Sequence, residues 1–242
     1  MNLYTGAGVA AGDINNDGLT DLFFSGNGVS GRLYLNRGNW HFEDVTAASG
    51  LTSDRWQTGA SMVDINQDGW LDIYVNVSGS EKFGDLANQL FINNGNGTFS
   101  EQAAAYGLAE KRLTMNASFF DYDRDGDLDI FLITNPADEM VSGINIIRDR
   151  SVQGESRGTD ILYRNNGDQT FTDVSREAGI LIEGYSLGAA ISDFNNDGWP
   201  DIYVSNDFLT SDILYINNRN GTFSDELDQR LDRKSTRLNS SH

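Results

Sequence analysis

The chain has 242 residues, 38% hydrophobic and 11% aromatic, with a formal net charge of −19 and no cysteine. That is enough apolar material for one large folded domain, and the charge disfavours nucleic acid and anionic membrane surfaces while favouring cations. With no thiol and only two histidines, His41 and His242, there is almost no raw material for disulfides, zinc sites or Ser-His-Asp catalysis.

The first unit, about residues 6–50, opens with the small apolar run AGVAAG (7–12) and the acidic nonapeptide DINNDGLTD (13–21). The β-type runs DLFFS (21–25), RLYLN (32–36) and WHFEDVT (40–46) follow. The same order returns in 51–108: TGASMV, DINQDGWLD (64–72), DIYVNV, NQLFIN, GTFSEQ. It returns in 109–180 as MNASFF, DYDRDGDLD (121–129), DIFLIT, DILYRN, TFTDVS, and in 181–231 as LGAAIS, DFNNDGWPD (193–201), DIYVS, DILYIN, GTFSDE.

Four short strands per unit, separated by Gly, Asn and Asp, predict an antiparallel meander. Repetition of such a unit predicts an all-β chain built as a β-propeller of four-stranded blades, four of them present. Sustained helical periodicity is absent, and SEQAAAYGLAEK (100–111) is expected to form a single turn between blades. Residues 232–242, DRKSTRLNSSH, read as the translation of a sequencing adapter. They are set aside, which leaves 1–231 as the propeller fragment, and the natural chain is expected to continue past it.

The nonapeptide has the spacing D-x-[DN]-x-D-G-x-x-D. Oxygen donors at positions 1, 3, 5 and 9, a backbone carbonyl at 7 and a glycine at 6 for the sharp turn suit Ca²⁺, which takes six to eight oxygens at about 2.3–2.6 Å. Mg²⁺ demands a tighter octahedron and keeps its waters. The expected ligands are Asp13, Asn15, Asp17, Leu19 and Asp21 in the first loop, and Asp64, Asn66, Asp68, Trp70 and Asp72 in the second. The third loop offers Asp121, Asp123, Asp125, Asp127 and Asp129, and the fourth Asp193, Asn195, Asp197, Trp199 and Asp201. Asp, Asn and Gly also make ordinary β-turns. Four copies holding roughly half of the chain's aspartates exceed what turn chemistry requires, since unpaired carboxylates so close together repel. An EF-hand would place Glu at position 12, where Phe24, Val75, Leu132 and Val204 stand instead.

The segments LYLNRGNWHFEDVTAASGL (33–51), LFINNGNGTFSEQAAAYGL (90–108) and LYRNNGDQTFTDVSREAGI (162–180), alternating with these loops, resemble the FG-GAP/VCBS repeat family. The likeness is to integrin-alpha-like β-propellers, nearest the cartilage-acidic-protein-like branch common in bacteria, and spans residues 6–231. The FG-GAP signature survives only as Gly59–Ala60 and Gly188–Ala189, without the proline. The resemblance implies a seven-bladed ring of which this chain supplies an open arc. It also implies up to four structural Ca²⁺ ions, one per blade on one face, with ligand on the other.

The expected function is therefore a calcium-binding extracellular, cell-surface or periplasmic module for protein or glycan binding and adhesion, without catalysis. No leader segment or membrane-spanning run is visible in the sequence. The long loop 135–159, with Arg148, Arg150 and Arg157, is a candidate partner contact. Trp56, Trp70 and Trp199 invite carbohydrate stacking, although Trp70 and Trp199 share a motif position that favours packing. The alternative is a propeller-fold glycoside hydrolase or lyase using carboxylates outside the loops, among them Asp54, Glu81, Asp85, Asp138, Glu139 and Asp207.

Overall fold

The structure, a computed structural model, describes residues 6–79, 84–136, 149–207 and 210–230. Glu81, residues 137–148 of the 135–159 loop, with Asp138, Glu139 and Arg148 among them, and the 232–242 tail lie outside the described residues. The described residues form four antiparallel four-stranded sheets, each a meander in chain order. The first holds β1 (Val9–Gly12), β2 (Asp21–Phe24), β3 (Arg32–Asn36) and β4 (Phe42–Asp44). The second holds β5 (Gln57–Val63), β6 (Asp72–Val77), β7 (Gln89–Asn93) and β8 (Phe99–Glu101). The third holds β9 (Thr114–Phe120), β10 (Asp129–Thr134), β11 (Ile161–Asn165) and β12 (Phe171–Asp173), and the fourth β13 (Ser186–Ser192), β14 (Asp201–Asn206), β15 (Ile213–Asn217) and β16 (Phe223–Asp225). One-turn helices α1 (Thr46–Ser49), α2 (Ala103–Tyr106) and α3 (Leu227–Arg230) follow the last strand of their blades. The turn expected within 100–111 is α2.

β6 and β10 are buried along their whole length, because each lies in a blade sandwiched between two neighbours. A strand covered on both faces reads as a continuous apolar run rather than an alternation. The two faces still divide by parity. Phe23, Leu33 and Leu51 of the first blade cluster with Ile73, Val75 and Phe91 of the second. Tyr74, Leu90 and Leu108 then cluster with Ile130, Leu132 and Phe171. Phe131, Leu162 and Ile180 cluster with Ile202, Val204 and Tyr215. Burying each such side chain contributes about 1.5–3 kcal/mol, so the interfaces between blades carry the core.

The first strands of successive blades run against one another, which is why their sequences are small. Thr58 Oγ1 donates to the Thr114 carbonyl at 2.9 Å, and Ser61 Oγ to that of Ala117 at 3.1 Å. A Cβ on Gly59 would lie 2.4 Å from the Met115 carbonyl oxygen, so only glycine fits there.

A second bracket ties blades at the entry to the third strand. Asn88 Oδ1 accepts from the Val77 amide and from Thr114 Oγ1 of the next blade, both at 2.8 Å. Asp160 repeats this, accepting from the Thr134 amide at 2.8 Å and Ser186 Oγ at 2.9 Å.

Candidate metal centres

All four acidic loops fold alike. The position-1 carboxylate (Asp13, Asp64, Asp121, Asp193) accepts the amide of position 5 at 2.9–3.1 Å and that of the glycine at 2.7–3.1 Å. Those glycines, Gly18, Gly69, Gly126 and Gly198, have φ of +84° to +98°, which an L side chain resists. The position-5 carboxylate (Asp17, Asp68, Asp125, Asp197) accepts the position-7 amide at 2.9 Å, which sets the carbonyl-bearing residues Leu19, Trp70, Asp127 and Trp199 at the loop exit.

Position 9 is built differently. Asp21, Asp72, Asp129 and Asp201 are fully buried at the start of the second strand. One oxygen accepts the position-2 amide (Ile14, Ile65, Tyr122, Phe194) at 2.9–3.2 Å. The other accepts the amide of the asparagine closing the third strand (Asn36, Asn93, Asn165, Asn217) at 2.7–2.9 Å. Burial pushes the Asp72 and Asp129 carboxyls up to about 7 against the pull of these amides, and the neighbouring loop carboxylates add to the rise. Asp21 and Asp201 move the same way for the same reason.

The third loop brings carboxylates together most closely. Ligand-type oxygens of Asp121, Asp123 and Asp129 lie within 4.8 Å of one another. In the other loops position 3 is Asn15, Asn66 or Asn195, whose amide donates to the position-5 carboxylate at 2.9–3.0 Å. Asp123 has no such hydrogen to donate, and its Oδ1 is buried without a hydrogen-bond partner. Burial, then Asp125 and Asp121, raise its carboxyl. An all-oxygen cluster with an unpartnered buried carboxylate oxygen fits a hard cation such as Ca²⁺.

Sequence reading missed how the loops are joined. The third-strand asparagines send Nδ2 to the position-8 carbonyl of their own loop: Thr20, Leu71, Leu128 and Pro200. Asn93 and Asn217 also reach the position-2 carbonyl of the preceding blade, Ile14 at 2.9 Å and Tyr122 at 2.8 Å. The signal was present, since every third run ends in Asn. Position 4 bridges forward. Asn16 donates to the Gly69 carbonyl at 3.0 Å, Gln67 to Asp127 at 2.9 Å, and Arg124 stacks over Trp199 at 5.4 Å.

Away from the loops, the guanidinium of Arg150 donates to the Glu183 carbonyl, so it is used within the fold, whereas Arg157 is exposed. Asp85 pairs with Arg55 at 3.0 Å and Lys111 at 3.7 Å, and Asp54 is exposed. Trp56 packs beside Gly79, and Asp207 is half-buried with its amide on the Tyr185 carbonyl. Among the described residues, no helix is long and apolar enough to cross a membrane.

Comparison with known proteins agrees with this architecture. Mouse cartilage acidic protein 1 is 26% identical over 228 residues, covering 93% of this chain and 32% of that protein. A solved structure of an Agrocybe aegerita lectin, described as recognising non-reducing terminal N-acetylglucosamine, shares the fold with a TM-score of 0.51 at 19% identity. The match covers 92% of this chain and 52% of the lectin chain, so the chain spans about a third and about half of these two relatives. The FG-GAP-like repeat pattern itself matches residues 13–75, 77–132, 149–204 and 193–239. With four meander blades, four acidic loops of one geometry and repeat matches along most of its length, the chain belongs to the FG-GAP-like repeat family.

Proposed function

We propose that this chain is a calcium-stapled extracellular or cell-surface propeller module that binds a protein or glycan partner and performs no catalysis. The observation that carries the reading is the Asp121–Asp123–Asp129 cluster with its unpartnered Asp123 oxygen, set in a loop geometry repeated in every blade. Positions 1, 3, 5 and 9 and the position-7 carbonyl of each loop would hold the ion. Bound calcium would neutralise carboxylates that otherwise repel and would tie the first strand of each blade to the second. Extracellular modules bind calcium at about 10⁻⁴–10⁻³ M, the range found outside cells. The lectin's fold supports the glycan side of the reading, and Arg157, exposed within the 135–159 loop, supports a contact at the opposite end of the blades.

The test is thermal unfolding of the chain with chelator and with millimolar calcium. One site filled to about 100 times its Kd adds about 2.7 kcal/mol, so several filled sites raise the melt strongly. Asp64→Ala and Asp193→Ala are expected to shrink the shift. A cooperative melt indifferent to calcium would sink the metal reading.

A further inference from the structure

We propose that the cleft between the third and fourth blades, at the end of the sheets carrying the acidic loops, binds a neutral saccharide unit. This rests on the glycan side of the function proposed above and gives it a location and a chemistry. The cleft has a volume of about 550 Å³, the size of a small-molecule site rather than of a protein interface.

Two of its lining residues are departures from the repeat. Arg164, exposed on β11, stands where the other blades carry Leu35, Ile92 and Ile216. An apolar position that three blades pack inward has here become a cation pointing into a cleft. Arg219 stands where the other blades carry Gly38, Gly95 and Gly167, and it adopts φ +63°. A non-glycine residue in that region is strained and persists where the surroundings hold it. Its guanidinium is held by Asp197 at 2.9 Å.

The substitution at 219 also changes what the neighbouring tryptophan can do. In the second blade Trp70 lies against Gly95, where an added Cβ would come within 3.3 Å of the indole. With Arg219 in the glycine's place, Trp199 lines the cleft, with Arg124 5.4 Å from its ring centroid. An indole offers an apolar face for the C–H side of a sugar ring.

The polar groups suit the hydroxyl side. Arg164 interacts with the Asp123 charge and with Tyr122, and Glu177 lines the same space, so a planar donor fork and carboxylate acceptors share one cleft. The lining holds two arginines against three carboxylates, Asp123, Asp173 and Glu177, a near-balance that favours a neutral polyol over a phosphate or a cation.

The experiment titrates the calcium-loaded full chain with the methyl glycosides of glucose, galactose, mannose and N-acetylglucosamine at up to tens of millimolar. Binding is read by saturation-transfer NMR and by tryptophan fluorescence. At least one glycoside is expected to bind saturably. Trp199→Ala and Arg164→Leu, the latter installing the residue of the first blade, should each weaken it about tenfold. Trp40→Ala, exposed on the first blade and outside both the cleft and the acidic loops, should bind as the wild type does. Affinity unchanged in both cleft variants would overturn the location and leave glycan binding standing elsewhere. No binding by any glycoside, in a chain whose melt calcium raises, would overturn the saccharide site and leave the calcium reading intact.

Discussion

Replacing Asp160 by asparagine isolates a buried ionisation from the metal loops. Asp160 is 1% exposed, and burial pushes its carboxyl from 3.8 up to about 7 despite the Thr134 amide, the Ser186 hydroxyl and the Arg150 charge. An acid raised in the fold favours the protonated folded state. The stability it supports is therefore complete below about pH 4 and is lost as pH rises towards 7. A rise of about 3 pH units at ~1.4 kcal/mol each makes the loss about 4 kcal/mol. Asparagine cannot ionise, and Asn88 already fills the equivalent bracket in the second blade with the same amide and hydroxyl donors. In urea titrations at fixed calcium, Asp160→Asn should match the wild type near pH 4 and exceed it by a few kcal/mol near pH 8. Taking the difference between the two chains at each pH removes the contribution of other titrating groups. A difference that is flat with pH, or a variant weakened further at pH 8, would refute the argument.

Position 9 and position 5 of the loops should separate under chelation. Asp72→Ala leaves the buried amides of Ile65 and Asn93 unpaired and should lose about 2–5 kcal/mol with or without calcium, whereas Asp68→Ala should lose stability chiefly when calcium is present. Urea denaturation in the two conditions checks this, and a harmless Asp72→Ala in chelator would contradict it. Asn76 has both side-chain amide atoms buried and unpartnered, at the position that Ile133 occupies in the third blade. Asn76→Ile should therefore raise stability by about 1–3 kcal/mol. A lowered melting temperature for that variant would show that the amide is satisfied.

Local signals carried most of the fold. Parity within DIYVNV and DIFLIT, together with the Asn-Gly turns, is enough to specify strands whose backbones pair only with their neighbours in sequence, because a meander needs no distant partner. The acidic loops were legible for the same reason, since the amides folded around Asp13 and Asp64 belong to the next few residues of the same loop. The asparagine ending each third strand was visible as a letter, but its bonds to Ile14 and Tyr122 cross from one blade to another.

The blade, its turn glycines and its oxygen-rich loop are thus each a matter of neighbours along the chain. The tertiary structure decided how blades meet. Arg150 turns inward to a carbonyl, Asp160 is buried between two blades, and Arg164 and Arg219, 55 residues apart by number, line one cleft. Such juxtapositions depend on the rotation from one blade to the next, which arises from packing Phe131 and Leu162 against Ile202 and Val204 rather than from any local run of residues.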